Sequence, residues 1–420
     1  MIGGMTLMTL LNRCYRFKGF IYHSACFSDK RENTIEVSIR SRLGSKPHCS
    51  GCGKRRACYD HLPERRFEFI PIWGFAVLFR YARRRVNCQH CGVVAELLPF
   101  AEGKHTLTSA YMQFLGNWAR KLSWLEVARS FHTSWQKVFH SVEWLVQWGL
   151  ERRVLGRISA IGVDEIAYSR GHKYLTLVYQ IEAGCVRLLW VGKERTVKTF
   201  RRFFDMVGKD ACAGIEFVCS DMWRPYLKVI RERCGGALHI LDRFHIVAKL
   251  NTALDEVRAT EARKLAAEGR HPVLKHSRWC LLKRPGNLTG KQTGRLRELV
   301  RCNLRTVRAY LLKEDFQQVW EYQSPHWAGK FLDQWCTDAL RSRIKPMKKI
   351  AKMIRRHRSL ILNWFRAKGQ ISNGIVEGLN NKAKLTMRKS YGFKSPDILE
   401  IALLHALGKL PEPKLTHEFW

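Results

Sequence analysis

The chain has 420 residues, too many for one ordinary core, so two to four domains are expected. Hydrophobic residues make up 46% of it, which argues against wholesale disorder. Lysine and arginine number 74 against 36 acidic residues, and the resulting net charge of +38 predicts a polyanionic partner, most simply nucleic acid. The alternatives are a solvated basic surface and an anionic membrane face.

Two features of the sequence indicate a cytoplasmic protein. The apolar stretch at residues 5–11 is too short and too poorly flanked for a signal peptide. No run of about 18 apolar residues occurs, so no membrane span is expected. The 14 cysteines should then be reduced or bound to metal.

Two cysteine pairs have the pattern of zinc knuckles. Cys49 with Cys52, and Cys88 with Cys91, are each separated by two residues and followed directly by glycine. Four thiolates fill a tetrahedral site, so we expect a structural Zn²⁺ in a zinc-ribbon-like unit whose strands lie between the pairs. The alternative is four unbound cysteines. Nearby groups that do not repeat the pattern are Cys58, His48, His61 and His90.

Residues 106–148 have a helical period that is interrupted by one short polar turn. Thr108 with Ser109 is a plausible cap for the first helix. Ser134 is a favourable N-cap, so a second helix is predicted to begin at Trp135. Helix, turn, cap and helix in this order are typical of a helix-turn-helix, with a plain helical hairpin as the alternative. Its candidate DNA contacts are Trp135, Gln136, Lys137 and His140.

Residues 157–250 change to a mixed pattern. Strands are predicted at 158–168, 173–181, 186–191, 214–221 and 237–242, with helices over 196–207 and 223–234. This order is typical of a ribonuclease-H-like fold, in which the first and fourth strands are neighbours. Asp164 in the first strand and Asp221 at the end of the fourth should then lie side by side. Buried carboxylates require a partner charge or a metal ion.

The rest of the chain is helical and basic. Helices are predicted at 250–267 and 294–312, and a dense basic run at 341–358 keeps an apolar face, as a helix lying on a phosphate backbone would. A charged solvated face is the alternative. Glu377 falls in the first turns of a later helix. Candidate DNA contacts are Lys348, Lys349, Arg355, Arg356, Lys384 and Arg388. The run Arg83-Arg84-Arg85 also suits phosphate contact, with a solvated face equally open.

Four short motifs occur in order along the second half of the chain. They are Gly162-Val163-Asp164-Glu165, Ser220-Asp221-Met222-Trp223, Asp242-Arg243-Phe244-His245, and Ser372-Asn373-Gly374 with Glu377-Gly378-Leu379-Asn380. Together with the preceding zinc unit and helix-turn-helix, they resemble the DDE transposases of bacterial insertion sequences, and more narrowly the ISL-three type. The resemblance covers nearly the whole chain.

The resemblance implies an enzyme that nicks the ends of its element and joins 3′-hydroxyls to target DNA. Asp164, Asp221 and Glu377 would hold two Mg²⁺ or Mn²⁺ ions through hard oxygen ligands. Asp242 and His245 would support catalysis, or else serve as a helix cap and a structural histidine. Glu165 is left out, because it should point to the opposite face of its strand from Asp164.

The implied partner is double-stranded DNA, both the element ends and the target. Two ends must be paired, so a homo-oligomer, at least a dimer, is expected on DNA in the bacterial nucleoid. Two other functions stay open: a DNA-binding regulator that uses only the zinc unit and the helix-turn-helix, and a ribonuclease-H-like nuclease without strand transfer.

The predicted fold class is therefore α/β, with a ribonuclease-H-like catalytic core that carries a helical insertion. The predicted divisions are a lead-in at 1–45, a zinc-binding domain at 46–100, a helix-turn-helix at 101–150, the first part of the core at 155–250, a basic helical insertion at 251–369 and the C-terminal part of the core at 370–420.

Overall fold

The computed structural model describes residues 6–169, 171, 173–367, 374–390, 393 and 395–414. The chain divides into two units, Met1–Val154 with Leu385–Trp420, and Leu155–Lys384. Both contain helices, and each holds one five-stranded sheet, so the predicted mixed α/β class is confirmed. None of the described helices is long and apolar enough to cross a membrane.

The first unit begins with a short helix, which is followed by the strands of a sheet and then by further helices. Its elements are α1 (Leu7–Cys14), β1 (Phe20–Phe27), β2 (Thr34–Ser41), β3 (Cys58–Ile72), β4 (Phe75–Cys88), β5 (Gly92–Ala95), α2 (Ser109–Lys121), α3 (Trp124–Ser130) and α4 (Trp135–Glu151).

The sheet of the first unit has the order β1-β2-β4-β3, and β5 pairs with β4. Only the β2–β4 pair is parallel among these strands. β1 and β2, which lie in the predicted lead-in at 1–45, therefore belong to the same sheet as β3 and β4 between the cysteine pairs. Aromatic side chains fill the core of this sheet, with Phe69 stacked on Phe79 at 4.5 Å between ring centroids.

Helices α2, α3 and α4 begin at capping residues, two of which, Thr108 and Ser134, were predicted. Thr108 and Ser134 accept backbone N–H groups of α2 and α4, and Ser123 forms a reciprocal capping box with Glu126 at the start of α3. Four residues separate α3 from α4, and His132 among them has a positive φ of 49°. The predicted succession of helix, polar turn, cap and helix is confirmed.

The second unit holds the other sheet and a large helical region. Its elements are β6 (Ala160–Ser169), β7 (Lys173–Glu182), β8 (Cys185–Lys193), α5 (Val197–Val207), α6 (Lys209–Ala213), β9 (Phe217–Ser220), α7 (Arg224–Arg233), β10 (Leu238–Leu241), α8 (Arg243–Ala267), α9 (Arg278–Leu282), α10 (Gly290–Val300), α11 (Arg305–Gln317), α12 (Pro325–Arg341), α13 (Lys345–Arg356), α14 (Arg358–Arg366) and α15 (Gly374–Lys389), whose last residues belong to the first unit together with α16 (Pro396–Leu407).

The second sheet has the strand order β10-β9-β6-β7-β8. β6, β7 and β8 form an antiparallel meander, whereas β9 is parallel to β6 and β10 is parallel to β9. The predicted neighbourhood of the first and fourth strands is thus confirmed. The carboxyl ends of β9 and β10 lie at the same edge as the second half of β6.

The two faces of β6 carry different layers. Ile161 and Val163 point into a core formed with α5 and α7, in which Phe200, Phe203 and Tyr226 are fully buried. Gly162 lies on the other face, against Val376 of α15. Because side chains alternate along a strand, Asp164 falls on the α15 face and Glu165 on the α7 face.

The helical region has its own core, which includes Trp335, Met347 and Ile354, and it meets the sheet where α14 packs on β10. The helix predicted over 294–312 is in fact two, α10 and α11. Glu261 of α8 accepts the backbone N–H groups of Arg305 and Thr306 at 2.9 and 2.7 Å, so a tertiary cap begins a new helix there.

The basic run at 341–358 is also divided. Its helix, α13, spans Lys345–Arg356, and Arg343 just before it has a positive φ of 58°. Pro346 suits the first turn of α13, because the N–H group that proline lacks would have no partner within the helix there. The predicted apolar face is confirmed, since Met347, Ile350 and Ile354 are buried.

Replacement of Gly162 by alanine should destabilise the second unit. A β-carbon there would lie 2.4 Å from Val376 Cγ2, so α15 must move away from β6 at a cost of about 1–3 kcal/mol. The measurement is thermal unfolding of Gly162→Ala, with and without Val376→Ala, which should restore part of the loss. Gly236→Ala is the control, because that glycine has no atom near its added carbon. A wild-type melting curve for Gly162→Ala would contradict this packing.

Candidate active site

One cleft in the second unit gathers acidic side chains from three neighbouring strands. Asp164 lies within β6, Asp221 directly follows β9 and Asp242 directly follows β10. All three line the cleft together with His245, and Val163, Cys219, Ser220 and Val376 complete its walls. The sheet order brings these carboxylates together from positions far apart in the sequence.

Asp164 is held by neutral hydrogen-bond donors. Its Oδ1 accepts the backbone N–H of Glu165 at 2.7 Å, and its Oδ2 accepts the side-chain amide of Asn380. Asn380 is buried, and its Oδ1 accepts the hydroxyl of Tyr179 at 2.8 Å. Burial raises the pKa of Asp164, and the nearby carboxylates of Asp242 and Asp221 add to this effect. Asn380 is therefore a positioning residue for Asp164.

Asp221 is held by a cation instead. Its Oδ1 accepts the backbone N–H of Trp223 at 2.9 Å, and its Oδ2 accepts Arg195 Nη2 at 3.0 Å. Arg195 Nε also lies 2.5 Å from Glu165 Oε1, an ion-pair contact that lacks the alignment of a hydrogen bond. The guanidinium is stacked 4.3 Å from the ring centroid of Trp223. Burial raises the pKa of Glu165 to about 7.

Asp242 and His245 occupy the first turn of α8. Asp242 Oδ1 accepts the backbone N–H of Phe244 at 2.7 Å, so this aspartate is the N-cap of the helix as well as part of the cleft. His245 Nε2 lies 3.9 Å from Asp164 Oδ1 and 3.8 Å from Asp242 Oδ2. Its imidazole therefore lies beside two of the carboxylates of the cleft.

Glu377 lies in the first turn of α15 at an exposed position. The residue before it, Val376, lines the cleft, whereas Glu377 itself does not. It precedes Asn380 by three residues and so lies on a neighbouring part of the same helix surface. The preceding motif residues Ser372 and Asn373 lie outside the described residues.

The sequence reasoning missed Arg195 as a site residue, and it missed the contact of Asn380 with Asp164. Asn380 stood in a recognised motif, but nothing in its spacing indicated which carboxylate it contacts. Arg195 stood in no motif. The backbone just before it has a positive φ of 94° at Glu194, and such a conformation in a non-glycine residue is typical of functional loops.

The four predicted zinc ligands form one cluster in the first unit. The sulfur atoms of Cys49, Cys52, Cys88 and Cys91 all lie within 4.8 Å of one another. The glycines that follow the two pairs, Gly53 and Gly92, have positive φ angles of 70° and 73°. None of the alternatives Cys58, His48, His61 and His90 belongs to the cluster. The four-sulfur arrangement suits a tetrahedral metal ion such as Zn²⁺.

Arginines around the cysteine cluster have partners within the sheet. Arg56 Nε donates to Cys88 Sγ at 3.4 Å and lowers the pKa of that thiol to about 5. Arg84 is buried and pairs with Glu96 at 2.8 Å, and Arg85 pairs with Asp60. Arg83 donates to the Glu96 carbonyl. The run at 83–85 thus binds its own unit, which argues against its use as a phosphate contact.

The predicted helix-turn-helix contacts surround the start of α4. Trp135, Gln136 and His140 are exposed. Lys137 is partly buried, and its Nζ lies 2.6 Å from Glu68 Oε1 of β3. Three of the four side chains are thus free to meet a partner, and the fourth links the helix to the sheet of the first unit.

The predicted basic contacts of α13 and α15 lie mostly at the surface. Lys349, Arg355, Arg356, Lys384 and Arg388 are exposed, and Lys348 is partly buried. Arg355 Nη2 donates to Thr337 Oγ1 at 3.2 Å. The apolar side of α13 is buried, so its positive charge is directed outward.

The chain is similar to known transposases of bacterial insertion sequences. It is 30% identical over 356 residues to the transposase for insertion sequence element IS1001 of Bordetella parapertussis, which covers 83% of this chain and 86% of that protein. It is 30% identical over 403 residues to the transposase for IS1557 of Mycobacterium tuberculosis, which covers 90% of this chain and 89% of that one.

The family is shown by a profile that matches more than half of the chain. Residues 161–403 match the profile of the ISL-three-type DDE transposases, a family described as "Transposase". The chain belongs to this family, and the predicted resemblance is confirmed.

Introduction of a charge at Asn380 should destabilise the second unit. Asn380→Asp would face the carboxylate of Asp164 with a second one, at a cost of about 3 kcal/mol. The pair would retain a proton in the folded state, so its raised pKa makes the loss grow as the pH rises from 5 to 8. The measurement is the free energy of unfolding of Asn380→Asp and of the wild type at both pH values.

Asn381→Asp is the matched control, because that neighbouring asparagine is exposed. Equal effects of the two substitutions would contradict the assignment of Asn380 to Asp164.

Proposed function

We propose that this transposase binds the ends of its insertion sequence, nicks the DNA there and joins the 3′-hydroxyls to target DNA by two-metal DDE chemistry. The observation that carries the proposal is the convergence of Asp164 and Asp221 in one cleft, at adjoining parallel strands. Family membership supports an enzyme that acts on DNA.

The donor set of the cleft fits divalent cations such as Mg²⁺ or Mn²⁺. Carboxylate oxygens are hard ligands. Each oxygen of Asp164 and Asp221 accepts one of the hydrogen bonds described above, and a carboxylate oxygen has a second lone pair with which to bind a cation. When bound, two such ions activate a water or a 3′-hydroxyl and stabilise the leaving oxygen. Asn380 and Arg195 hold the two aspartates, and His245 is placed to orient a phosphate.

Glu377 is the proposed third ligand. Its helix packs directly on β6, through Val376 against Gly162, which supports a position near the metals. Asp242 is the second candidate, because its side chain lines the cleft whereas that of Glu377 does not. The strand order β10-β9-β6-β7-β8 supports a ribonuclease-H-like core for these residues. The helical insertion at 251–369, which holds most of α8 and all of α9 to α14, would precede the helix of Glu377.

DNA is the proposed partner of both units. The net charge of +38 supplies attraction that does not depend on sequence. In the first unit, Trp135, Gln136 and His140 would read bases as part of a helix-turn-helix, with Lys137 at its edge. In the second, the exposed basic surface of α13 would contact phosphates, and Lys384 and Arg388 of α15 would add to these contacts. Pairing of two ends calls for a homo-oligomer on DNA.

The cysteine cluster is the proposed site of a structural Zn²⁺. Four thiolates leave no open coordination position, so the ion would stabilise the first unit and take no part in cleavage. Arg56 would offset part of the negative charge of this cluster through its contact with Cys88.

Loss of any of the three carboxylates should abolish cleavage and leave DNA binding intact. In Mg²⁺, the wild type should nick a labelled duplex that carries the element end. Asp164→Asn, Asp221→Asn and Glu377→Gln should each reduce the rate on the order of 10³-fold. Asp205→Asn is the control, since this exposed aspartate pairs with Arg233 outside the cleft.

The outcomes of this experiment separate the alternatives. If all three variants cut like the wild type, the triad is wrong. If Glu377→Gln cuts and Asp242→Asn does not, Asp242 is the third ligand. Binding without any cutting favours a regulator, and cutting without strand transfer favours a nuclease.

Removal of zinc should unfold the first unit. The purified protein should contain about one zinc per chain, and Cys52→Ser should lower that content and the melting temperature. Cys58→Ser is the control, because Cys58 is exposed and lies outside the cluster. Metal analysis and circular dichroism before and after chelation measure both effects. A zinc-free protein that is indifferent to chelators would contradict the assignment.

A further inference from the structure

Arg195 is shared between two carboxylates on different faces of the sheet. Its Nη2 lies 3.0 Å from Asp221 Oδ2, and its Nε lies 2.5 Å from Glu165 Oε1. The side chains of Asp221 and Glu165 are only 15% and 10% exposed, so neither charge is well solvated. One guanidinium therefore contacts two largely buried carboxyl groups.

The position of Arg195 is built by its surroundings. Trp223 lies 4.3 Å from the guanidinium, ring centroid to Cζ, and holds it by stacking. Glu194, the residue before Arg195, adopts a positive φ of 94°, and its carbonyl accepts a hydrogen bond from the hydroxyl of Thr176 at 3.0 Å. Trp223 also follows Asp221 by two residues and donates its backbone N–H to that carboxylate. The arginine and the aspartate thus share one support.

A divalent cation at Asp221 would compete with Arg195 for the carboxylate. A metal ion and a guanidinium on the same carboxylate repel each other, and the repulsion is strong where water is largely excluded. Glu165 offers the guanidinium a second partner that lies on the α7 face, outside the residues that line the cleft. Release from Asp221 would then leave Arg195 paired with Glu165 and stacked on Trp223.

We propose that Arg195 is a displaceable counter-ion of Asp221, which holds this metal ligand in place until a divalent cation binds and is then retained by Glu165. Arg195 and Glu165 are positioning residues in this scheme, and together they set the metal affinity of the site. The inference rests on the proposed function, because it takes Asp221 to be a metal ligand.

Mn²⁺ binding to the full chain without DNA tests the proposal. Electron paramagnetic resonance gives the dissociation constant of the site, defined as binding that Asp221→Asn removes. Glu165→Gln should weaken Mn²⁺ binding about tenfold, because Arg195 then has Asp221 as its remaining carboxylate partner. Arg195→Met should tighten binding, because the competitor is gone. In the Arg195→Met background, Glu165→Gln should have a clearly smaller effect than in the wild type.

The same charge changes can be made outside the site as a matched control. Arg201 and Glu232 form an exposed ion pair between α5 and α7 of the same unit, 2.8 Å from Nη2 to Oε2. Arg201→Met and Glu232→Gln should leave Mn²⁺ affinity unchanged. Arg195→Lys is a second variant, for the case in which Arg195→Met does not fold. It keeps the positive charge that competes with the metal, so it should bind Mn²⁺ more weakly than Arg195→Met does.

Three results would overturn the proposal. They are weaker Mn²⁺ binding by Arg195→Met with wild-type circular dichroism, an equal effect of Glu165→Gln in both backgrounds, and wild-type binding that does not depend on Asp221. The last would also refute the metal site of the proposed function. A different outcome would be that the effects of Arg195→Met and Glu165→Gln on Mn²⁺ affinity depend on each other as expected, while the wild type does not cleave end DNA. That outcome would contradict the proposed function but not the role of Arg195.

Discussion

The candidate site depends on one short parallel pairing. β6 and β9 are joined over three residue pairs, Ala160 with Phe217, Ile161 with Val218 and Gly162 with Cys219. β9 ends one residue later, and at that point Asp221 leaves the sheet beside the free half of β6 that carries Asp164. A shift of one residue in this register would turn Asp164 to the other face. Gly162 serves the same arrangement, because its missing side chain lets α15 pack close enough for Asn380 to reach Asp164.

Different chemistry holds the two aspartates of the pair. Asp164 is held by neutral donors, a backbone amide and the side-chain amide of Asn380. Asp221 accepts a guanidinium whose second partner lies elsewhere. A neutral hydrogen bond persists when a cation arrives, whereas an ion pair must adjust. In the proposed metal site, this asymmetry would make the Asp164 ligand rigid and the Asp221 ligand responsive. It would also link Glu165 to the site, although the Glu165 side chain lies on the opposite face of β6.

Much of this arrangement could be predicted, and the failures have a common cause. The strands, the caps at Thr108 and Ser134 and the four cysteines follow from local patterns, and each was found where expected. The break between α10 and α11 was missed because Glu261, more than 40 positions earlier in the chain, caps α11. The arginines at 83–85 looked free for phosphate because their partners, such as Glu96 for Arg84, come from other strands.

The sequence by itself determined most of the elements, the placement of Asp164 and Glu165 on opposite faces of β6, the cysteine cluster and the family. Periodicity, capping, ligand spacing and motif order are properties of the chain. Only the tertiary structure decided what holds the acidic residues. The contact from Asn380 to Asp164 spans 216 positions, and that from Arg195 to Asp221 spans 26. No local preference encodes such contacts. They exist because the sheet and the helix that packs on it bring polar groups together where water is largely excluded, and there each group must find a partner.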